Sequence, residues 1–90
     1  MEQVKLRIQG KVQGVFFRAS AQQKAQELGI KGWVKNEADG SVTAVGEGEA
    51  TSLRAWVEWC NHGPAQARVE TVEAEPQPSA GDFESFEIKR

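Results

Sequence analysis

The 90-residue sequence predicts one α+β domain, with two helices packed on one face of an antiparallel sheet. Apolar and polar residues alternate in several short segments, which is typical of strands with one buried face. In two other segments, apolar residues recur every three or four positions, which is typical of helices. Glycine or proline separates these segments, and no repeat, linker or low-complexity tract divides the chain. We therefore expect a single domain over residues 1–90.

A strand and a helix are predicted at the start of the chain. Val4, Leu6 and Ile8 alternate with polar residues, so the strand has one apolar face. The helix is indicated by apolar residues at steps of four, four and three, namely Phe17, Ala21, Ala25 and Leu28. We expect Gly29 to end this helix, because glycine readily adopts the left-handed conformation found after a helix C-terminus.

A hairpin is predicted next, over residues 32–46. The segment GWVKN at 32–36 reads as a second strand and SVTAV at 41–45 as a third. Between them, Asp39 and Gly40 form the dipeptide that favours a tight turn.

The second half of the chain predicts a helix and two more strands. The apolar face of the helix consists of Leu53, Trp56, Val57 and Cys60. Thr51 or Ser52 is expected to cap its N-terminus, and residues 62–64 to end it. Residues 67–75 predict a fourth strand whose imperfect alternation suggests a β-bulge. A loop over residues 76–81 and a fifth strand over 83–89 complete the chain.

This order, βαββαβ followed by a short extra strand, predicts a ferredoxin-like sandwich. Many unrelated functions use that scaffold, so the fold alone does not define the activity.

The charge distribution favours a small anionic ligand. Eleven Lys and Arg against thirteen Asp and Glu give a net charge of −2, which argues against a nucleic-acid backbone as partner. Residues 1–35, however, contain seven Lys and Arg and only two acidic residues. Such a locally positive region on an acidic protein suits a small anion better than a long polyanion.

The expected setting is the cytoplasm. Cys60 is the only cysteine, so no disulfide can form within the chain. The N-terminal segment alternates polar and apolar residues and does not resemble a signal peptide. No apolar run approaches the roughly 20 residues that span a bilayer, so no membrane partner is expected. Our default expectation is a monomer.

The segment GKVQGVFFR, at residues 10–18, is a candidate anion-binding loop. Its glycines allow successive backbone amides to point into one concave surface, and the following helix adds its free N-terminal N–H groups. Arg18 would lie in the first helical turn, where its planar donors match two phosphate oxygens. The alternative is an ordinary strand-to-helix turn with a solvated arginine. Phe16 and Phe17 cannot both face the core, and we expect Phe17 to be buried and Phe16 to be partly buried.

Asn36 is the other candidate functional residue, at the end of the second strand. Its amide could accept a hydrogen bond from a water while donating one to a phosphoryl oxygen. The alternative is a turn-initiating asparagine that bonds its own backbone. His62 is expected to lie at a helix end and Cys60 to be a buried, unreactive thiol. No cluster has the spacing of metal ligands, so we expect no metal.

Together, GKVQGVFFR and AQELGIKGWVKNEADGSV, at residues 10–18 and 25–42, make the sequence similar to the acylphosphatases. The resemblance covers essentially the whole chain. It implies a ferredoxin-like enzyme that hydrolyses acyl phosphates to a carboxylate and inorganic phosphate without a metal or organic cofactor. It also implies that Arg18 binds the phosphate and that Asn36 orients the attacking water. The phosphate-binding amides would come from Gly10, Lys11, Val12, Gln13, Gly14, Val15 and Phe16. The alternative is a non-catalytic ferredoxin-like module that binds an anion or acts as a regulatory domain.

Overall fold

A computed structural model describes residues 1–79 and 81–90 of the chain and confirms the predicted order of helices and strands. The elements are β1 (Glu2–Lys11), α1 (Phe17–Leu28), β2 (Lys31–Asn36), β3 (Val42–Gly48), α2 (Ala50–Cys60), β4 (Arg68–Gln77) and β5 (Phe86–Lys89). In the part of the chain that is described, no helix is both long and apolar enough to cross a membrane.

The strands form one sheet in the order β4-β1-β3-β2-β5. β1 pairs antiparallel with β3 and β4, and β2 pairs antiparallel with β3, which gives the predicted ferredoxin-like arrangement. The extra strand β5 instead runs parallel to β2, so the sheet is mixed. β4 ends beside the start of β1 and β5 begins beside the start of β2, so the connecting segment crosses the sheet at one end. This crossing makes β5 run in the same direction as β2.

The core lies between the helices and one face of the sheet, with Trp56 near its centre. Trp56 is fully buried, and its Nε1 donates to the backbone carbonyl of Ala21 in α1 at 3.3 Å. Its ring meets the ring of Phe86 in β5 edge to face, with centroids 5.6 Å apart. Leu6 and Ile8 of β1 are also fully buried, as their alternation predicts. One side chain of α2 therefore contacts the other helix and the edge strand.

The predicted cap of α2 is wrong. The N-cap residue is Glu49, whose carbonyl accepts a hydrogen bond from the Leu53 N–H at 2.8 Å, while Thr51 and Ser52 lie inside the helix. β3 continues to Gly48, so Glu49 is the only residue between strand and helix and the helix begins earlier than its polar residues suggest.

Two of the predicted strand ends also move. β4 continues to Gln77, so Pro76 lies in a strand rather than in the predicted loop over 76–81, whose residue 80 is outside the described residues. β4 is an edge strand, where proline is tolerated because the missing N–H can face solvent. β5 is shorter than predicted, since it begins at Phe86 rather than at residue 83.

The predicted bulge in the fourth strand is confirmed. Gln9 pairs with Thr71 but Gly10 pairs with Val69, which leaves Glu70 as the extra residue of β4. Gly10 has φ 128°, and a Cβ at this position would lie 2.2 Å from the Arg68 carbonyl oxygen. The absence of a side chain at Gly10 therefore allows β1 and β4 to approach closely.

Glu47, on β3, is a buried carboxylate that holds the connection between β4 and β5. It accepts hydrogen bonds from Ser79 Oγ at 2.8 Å, Gln3 Nε2 at 3.0 Å and the Gly81 N–H at 3.3 Å. The hydrogen bond from Ser79 is the main reason why the pKa of Glu47 lies below its ordinary value of 4.5; desolvation opposes this shift and Gln3 adds to it. The connection that places β5 beside β2 thus depends on an ionised group.

We predict that Glu47→Gln lowers the free energy of unfolding by about 1–3 kcal/mol at neutral pH, because a charged acceptor of several hydrogen bonds is lost. The folded-state pKa is lowered, so the stabilisation is complete above 4.5 and is lost as the pH falls through the folded-state pKa. The difference in stability between wild type and variant should therefore shrink in acid. Chemical denaturation at several pH values measures this, with Glu27→Gln, on the exposed surface of α1, as the matched control. A difference independent of pH would contradict the prediction.

Candidate active site

A pocket of about 350 Å³ opens at the N-terminal end of α1. Its walls come from the loop after β1, the first turn of α1, the last residue of β2 and the end of the chain around β5. The residues that line it are Val12, Gly14, Phe16, Phe17, Arg18, Ala19, Asn36, Ile88 and Arg90. The structure thus brings both candidate residues, Arg18 and Asn36, into one cavity.

The loop from Val12 to Phe16 is held by side chains on both sides. Val12 and Val15 are buried in the core, and Gln13 Nε2 donates to the backbone carbonyls of Glu37 at 2.7 Å and Ser41 at 2.9 Å. Gln13 therefore ties the loop to the turn that follows Asn36. The loop is fixed relative to the hairpin even though it contains no regular secondary structure.

The loop leaves a group of backbone donors unused. Within residues 1–79 and 81–90, the N–H groups from Gln13 to Arg18 donate to no protein acceptor. In the described part of the chain, α1 has no side-chain cap, and its first turn holds no acidic residue to offset the positive end of its dipole. Buried or enclosed donors of this kind are normally satisfied, and here an anion can satisfy them.

Phe16 differs from its prediction. It is 73% exposed rather than partly buried, and it has φ 64° and ψ 24°, in the left-handed region. Bulky residues rarely adopt this conformation. The turn allows the Phe16 carbonyl to accept the first helical hydrogen bond, from the Ser20 N–H at 3.0 Å. Phe17, the next residue, is 1% exposed and belongs to the core, as predicted.

Arg18 lies in the first turn of α1 and lines the pocket. Its Nη1 donates to the backbone carbonyl of Lys89, in β5, at 3.2 Å. This hydrogen bond orients the guanidinium across the pocket, and it occupies only one of the five N–H donors of an arginine. The remaining donors are available to an anion.

Asn36 carries an acceptor that nothing in the described chain satisfies. Its Oδ1 is buried and has no hydrogen-bond partner. The expected alternative, a turn-initiating asparagine, does not fit, because the turn is closed by other groups: Asp39 Oδ1 accepts from the Ser41 N–H at 3.0 Å and from Ser41 Oγ at 2.6 Å. A buried polar atom without a partner is costly, which suggests a function for Asn36.

The other candidates have structural roles. Cys60 is fully buried and burial raises the pKa of its thiol, so it stays protonated. His62 lies on the surface beyond α2, with Nε2 3.2 Å from Oε1 of Glu58. Among the described residues, no three His, Cys, Asp or Glu side chains lie close enough to hold a metal ion.

Comparisons with known proteins agree with this geometry. A family model described as acylphosphatase matches residues 4–88. An acylphosphatase of Rubrobacter xylanophilus is 48% identical over 98% of this chain and 80% of that protein. One from Marinobacter nauticus is 51% identical over 90% of this chain and 88% of its own. The crystal structure of acylphosphatase from Bacillus subtilis superposes with a TM-score of 0.96 at 32% identity, covering all of both chains.

The chain belongs to the acylphosphatase family.

Sequence reasoning found some residues of this acylphosphatase-family pocket and missed others. Among the predicted phosphate-binding residues, the structure places Val12, Gly14, Phe16 and Arg18 in the pocket lining. Gly10 and Lys11 lie instead in the last part of β1, where they pair with β4.

The residues that sequence reasoning missed are Ile88, Arg90 and the side chain of Gln13. The first two come from a strand whose position depends on a crossing connection. The Gln13 contact depends on the spacing between the loop and the hairpin. Neither leaves a local signal in the sequence.

We predict that Gln13→Met lowers the free energy of unfolding by about 1–2 kcal/mol, since two hydrogen bonds are lost while the side-chain volume is kept. Gln13→Glu should lower the free energy of unfolding further at neutral pH, because a carboxylate would face two carbonyl oxygens and has no hydrogen to donate to them. The loop would shift relative to Asn36, and turnover should fall on the order of 10- to 100-fold. Denaturation and steady-state kinetics on both variants measure this. Equal stability of the two variants at neutral pH would show that the contact does not hold the loop.

Proposed function

We propose that this protein is an acylphosphatase that hydrolyses acyl phosphates to a carboxylate and inorganic phosphate. The observation that carries the proposal is the juxtaposition, in one pocket, of Arg18, backbone donors and Asn36 Oδ1, the last two without a partner among the described residues. Family relatives that match this chain over most of their own length support the same activity.

The phosphate group is bound by the loop amides and by Arg18. The N–H groups from Gln13 to Arg18, which have no acceptor in the described chain, lie next to the positive end of the α1 dipole. Gly14 has φ 74°, which a glycine adopts without strain, and it exposes its backbone to the pocket. Arg18 adds charge and a planar pair of donors. The charges of Arg18 and Arg90, which both line the pocket, favour entry of the anion.

Asn36 orients the water that attacks phosphorus. Its Oδ1 accepts a hydrogen bond from the water, and its amide N–H group donates to a phosphoryl oxygen. The water oxygen bonds to phosphorus as the bond between phosphorus and the bridging oxygen breaks, and the electron pair of that bond leaves with the carboxylate. Both hydrogens of the water end on the dihydrogen phosphate product.

Catalysis in this scheme comes from placement and charge stabilisation. Phosphoryl transfer has a loose transition state in which the equatorial oxygens carry much of the charge, so fixed donors around them lower the barrier. A carboxylate is a good leaving group at neutral pH, because carboxyl pKa values lie at about 4. The scheme therefore uses no general acid, no covalent intermediate and no metal.

The proposal extends to the oligomeric state, the location and the type of ligand. We propose a monomer of one domain over residues 1–90, working in the cytoplasm on a small-molecule acyl phosphate. The net charge of −2 and the small pocket favour this ligand over nucleic acid or a membrane. The alternative, a module that binds an anion without catalysis, leaves the buried Asn36 acceptor without a role.

We predict that the protein releases phosphate from acetyl phosphate in the presence of a metal chelator, and that Asn36→Ala reduces kcat on the order of 10²- to 10³-fold. The variant should remain folded and lose no more than about 1 kcal/mol of stability, because it also removes a buried acceptor that has no partner. Kinetics and denaturation on the same preparations measure both effects.

Asp39→Ala is the matched control for Asn36→Ala, since Asp39 makes the hydrogen bonds of the adjacent turn and does not line the pocket. Its loss should lower stability slightly, with a much smaller change in kcat. Wild-type phosphate release that a chelator abolishes and a divalent ion restores would overturn the metal-free scheme. Full activity in Asn36→Ala would overturn the role of Asn36.

We predict that inorganic phosphate inhibits competitively and stabilises the fold, and that Arg18→Ala removes both effects. At ten times its Kd, a ligand stabilises by about 1.4 kcal/mol, which raises the Tm by several degrees in a domain of this size. Arg18→Lys should restore little, because an ammonium keeps the charge but loses the planar pair of donors.

The measurement is the rise in Tm on adding phosphate, so any loss of stability caused by breaking the Arg18–Lys89 hydrogen bond cancels within each variant. Arg54→Ala, on the exposed surface of α2, is the control and should keep the full rise. A normal rise and normal turnover in Arg18→Lys would show that Arg18 acts only as a diffuse positive charge.

A further inference from the structure

Two large hydrophobic side chains are exposed at the active-site pocket. Among the described residues, the large hydrophobic side chains that are exposed are Met1, Phe16 and Ile88, at 78%, 73% and 36%. Two of these three line the pocket. We call Phe16 and Ile88 the apolar rim.

Folding does not explain the ring of Phe16. The position has φ 64°, where asparagine and glycine are far more common than a bulky aromatic residue. The ring contributes little to the core, because 73% of the residue is exposed and the adjacent Phe17 fills the core position. A residue that is both strained and solvent-exposed at a pocket mouth suggests that the ring itself contacts a ligand.

Ile88, in β5 near the end of the chain, lines the same pocket. It pairs with Val34 in the parallel register of β2 and β5, on the helix-facing side of the sheet. Lys89 points to the other side, where its Nζ lies 4.7 Å from the centre of the Trp33 ring. The alternation of β5 therefore turns Ile88 and Arg90 toward the pocket and Lys89 away from it.

The chemistry of the substrate places its acyl group at this rim. In an acyl phosphate, one bridging oxygen separates phosphorus from the acyl carbon, so an acyl group must lie within a few ångströms of the bound phosphate. The phosphate lies against the loop amides and Arg18 in the proposed scheme. The acyl substituent then projects out of the pocket, where the apolar rim lies together with the charged Arg90.

We propose that Phe16 and Ile88 bind the acyl group and select acyl phosphates whose acyl group is aromatic or branched aliphatic over those with a short or charged one. This inference rests on the proposed hydrolase function and names its preferred class of substrate. Contact with the rim removes apolar surface of the acyl group from water, and an aromatic acyl group also stacks against the Phe16 ring.

The experiment compares kcat/KM for benzoyl, acetyl and 4-carboxybenzoyl phosphate in the wild type, Phe16→Asn, Phe16→Leu and Ile88→Thr. Asparagine tolerates the left-handed backbone but removes the ring, whereas leucine keeps an apolar side chain in the strained conformation. Threonine keeps the branched shape that suits a strand but is polar. Ratios between substrates, compared across variants, cancel the intrinsic reactivity of each acyl phosphate.

We expect the benzoyl-to-acetyl ratio to fall roughly three- to tenfold in Phe16→Asn and in Ile88→Thr, and to fall less in Phe16→Leu. In the wild type, benzoyl phosphate should be preferred to 4-carboxybenzoyl phosphate, which has the same ring with an added charge. The inhibition constant of inorganic phosphate measures binding by the loop amides separately, because phosphate has no acyl group.

Three results would overturn the proposal. In the first, kcat/KM for every substrate and the affinity for inorganic phosphate fall by the same factor in Phe16→Asn, so the residue acts only through the loop backbone. In the second, the ratio is unchanged in every variant. In the third, the wild type prefers 4-carboxybenzoyl phosphate, so that Arg90 rather than the rim determines the selection. Failure of the wild type to hydrolyse any of the substrates would instead overturn the hydrolase function itself.

Discussion

The fold has to keep a row of backbone N–H groups, from Gln13 to Arg18, that find no acceptor among the residues the structure describes. A flexible loop would relieve this by turning the donors outward or by capping the helix with its own side chains. Here neither occurs, because Phe16 starts the helix from a left-handed conformation and no side chain caps α1. The site can bind an anion only as long as the loop is prevented from relaxing.

Most of the surrounding structure contributes to this constraint. Val12 and Val15 anchor the loop in the core, and Gln13 ties it to the β2–β3 turn. The helix that follows is held in turn by Trp56, which donates to the Ala21 carbonyl. Binding donors are therefore prearranged before substrate arrives, which is the condition under which fixed dipoles stabilise a transition state most effectively.

The mixed sheet brings together residues that, in the proposed scheme, act on different parts of the substrate. β2 ends at Asn36, and β5, running parallel beside it, carries Ile88 to the same end of the sheet. β5 also provides the Lys89 carbonyl that orients Arg18. If β5 ran antiparallel to β2, its first residues rather than its last would lie beside Asn36. In the proposed scheme, the crossing connection, held by Glu47, thus determines which side chains surround the acyl group.

The sequence by itself determined the order of helices and strands, the hairpin at Asp39, and the position of the candidate anion-binding loop, because each depends on spacing between near neighbours along the chain. Only the tertiary structure decided the remainder. Phe16 faces outward because Phe17 competes for the same core space, Gln13 bonds carbonyls more than 20 residues away, and Ile88 reaches the pocket through a parallel pairing at the far edge of the sheet. Such contacts arise between segments distant in sequence, so local periodicity carries no signal for them.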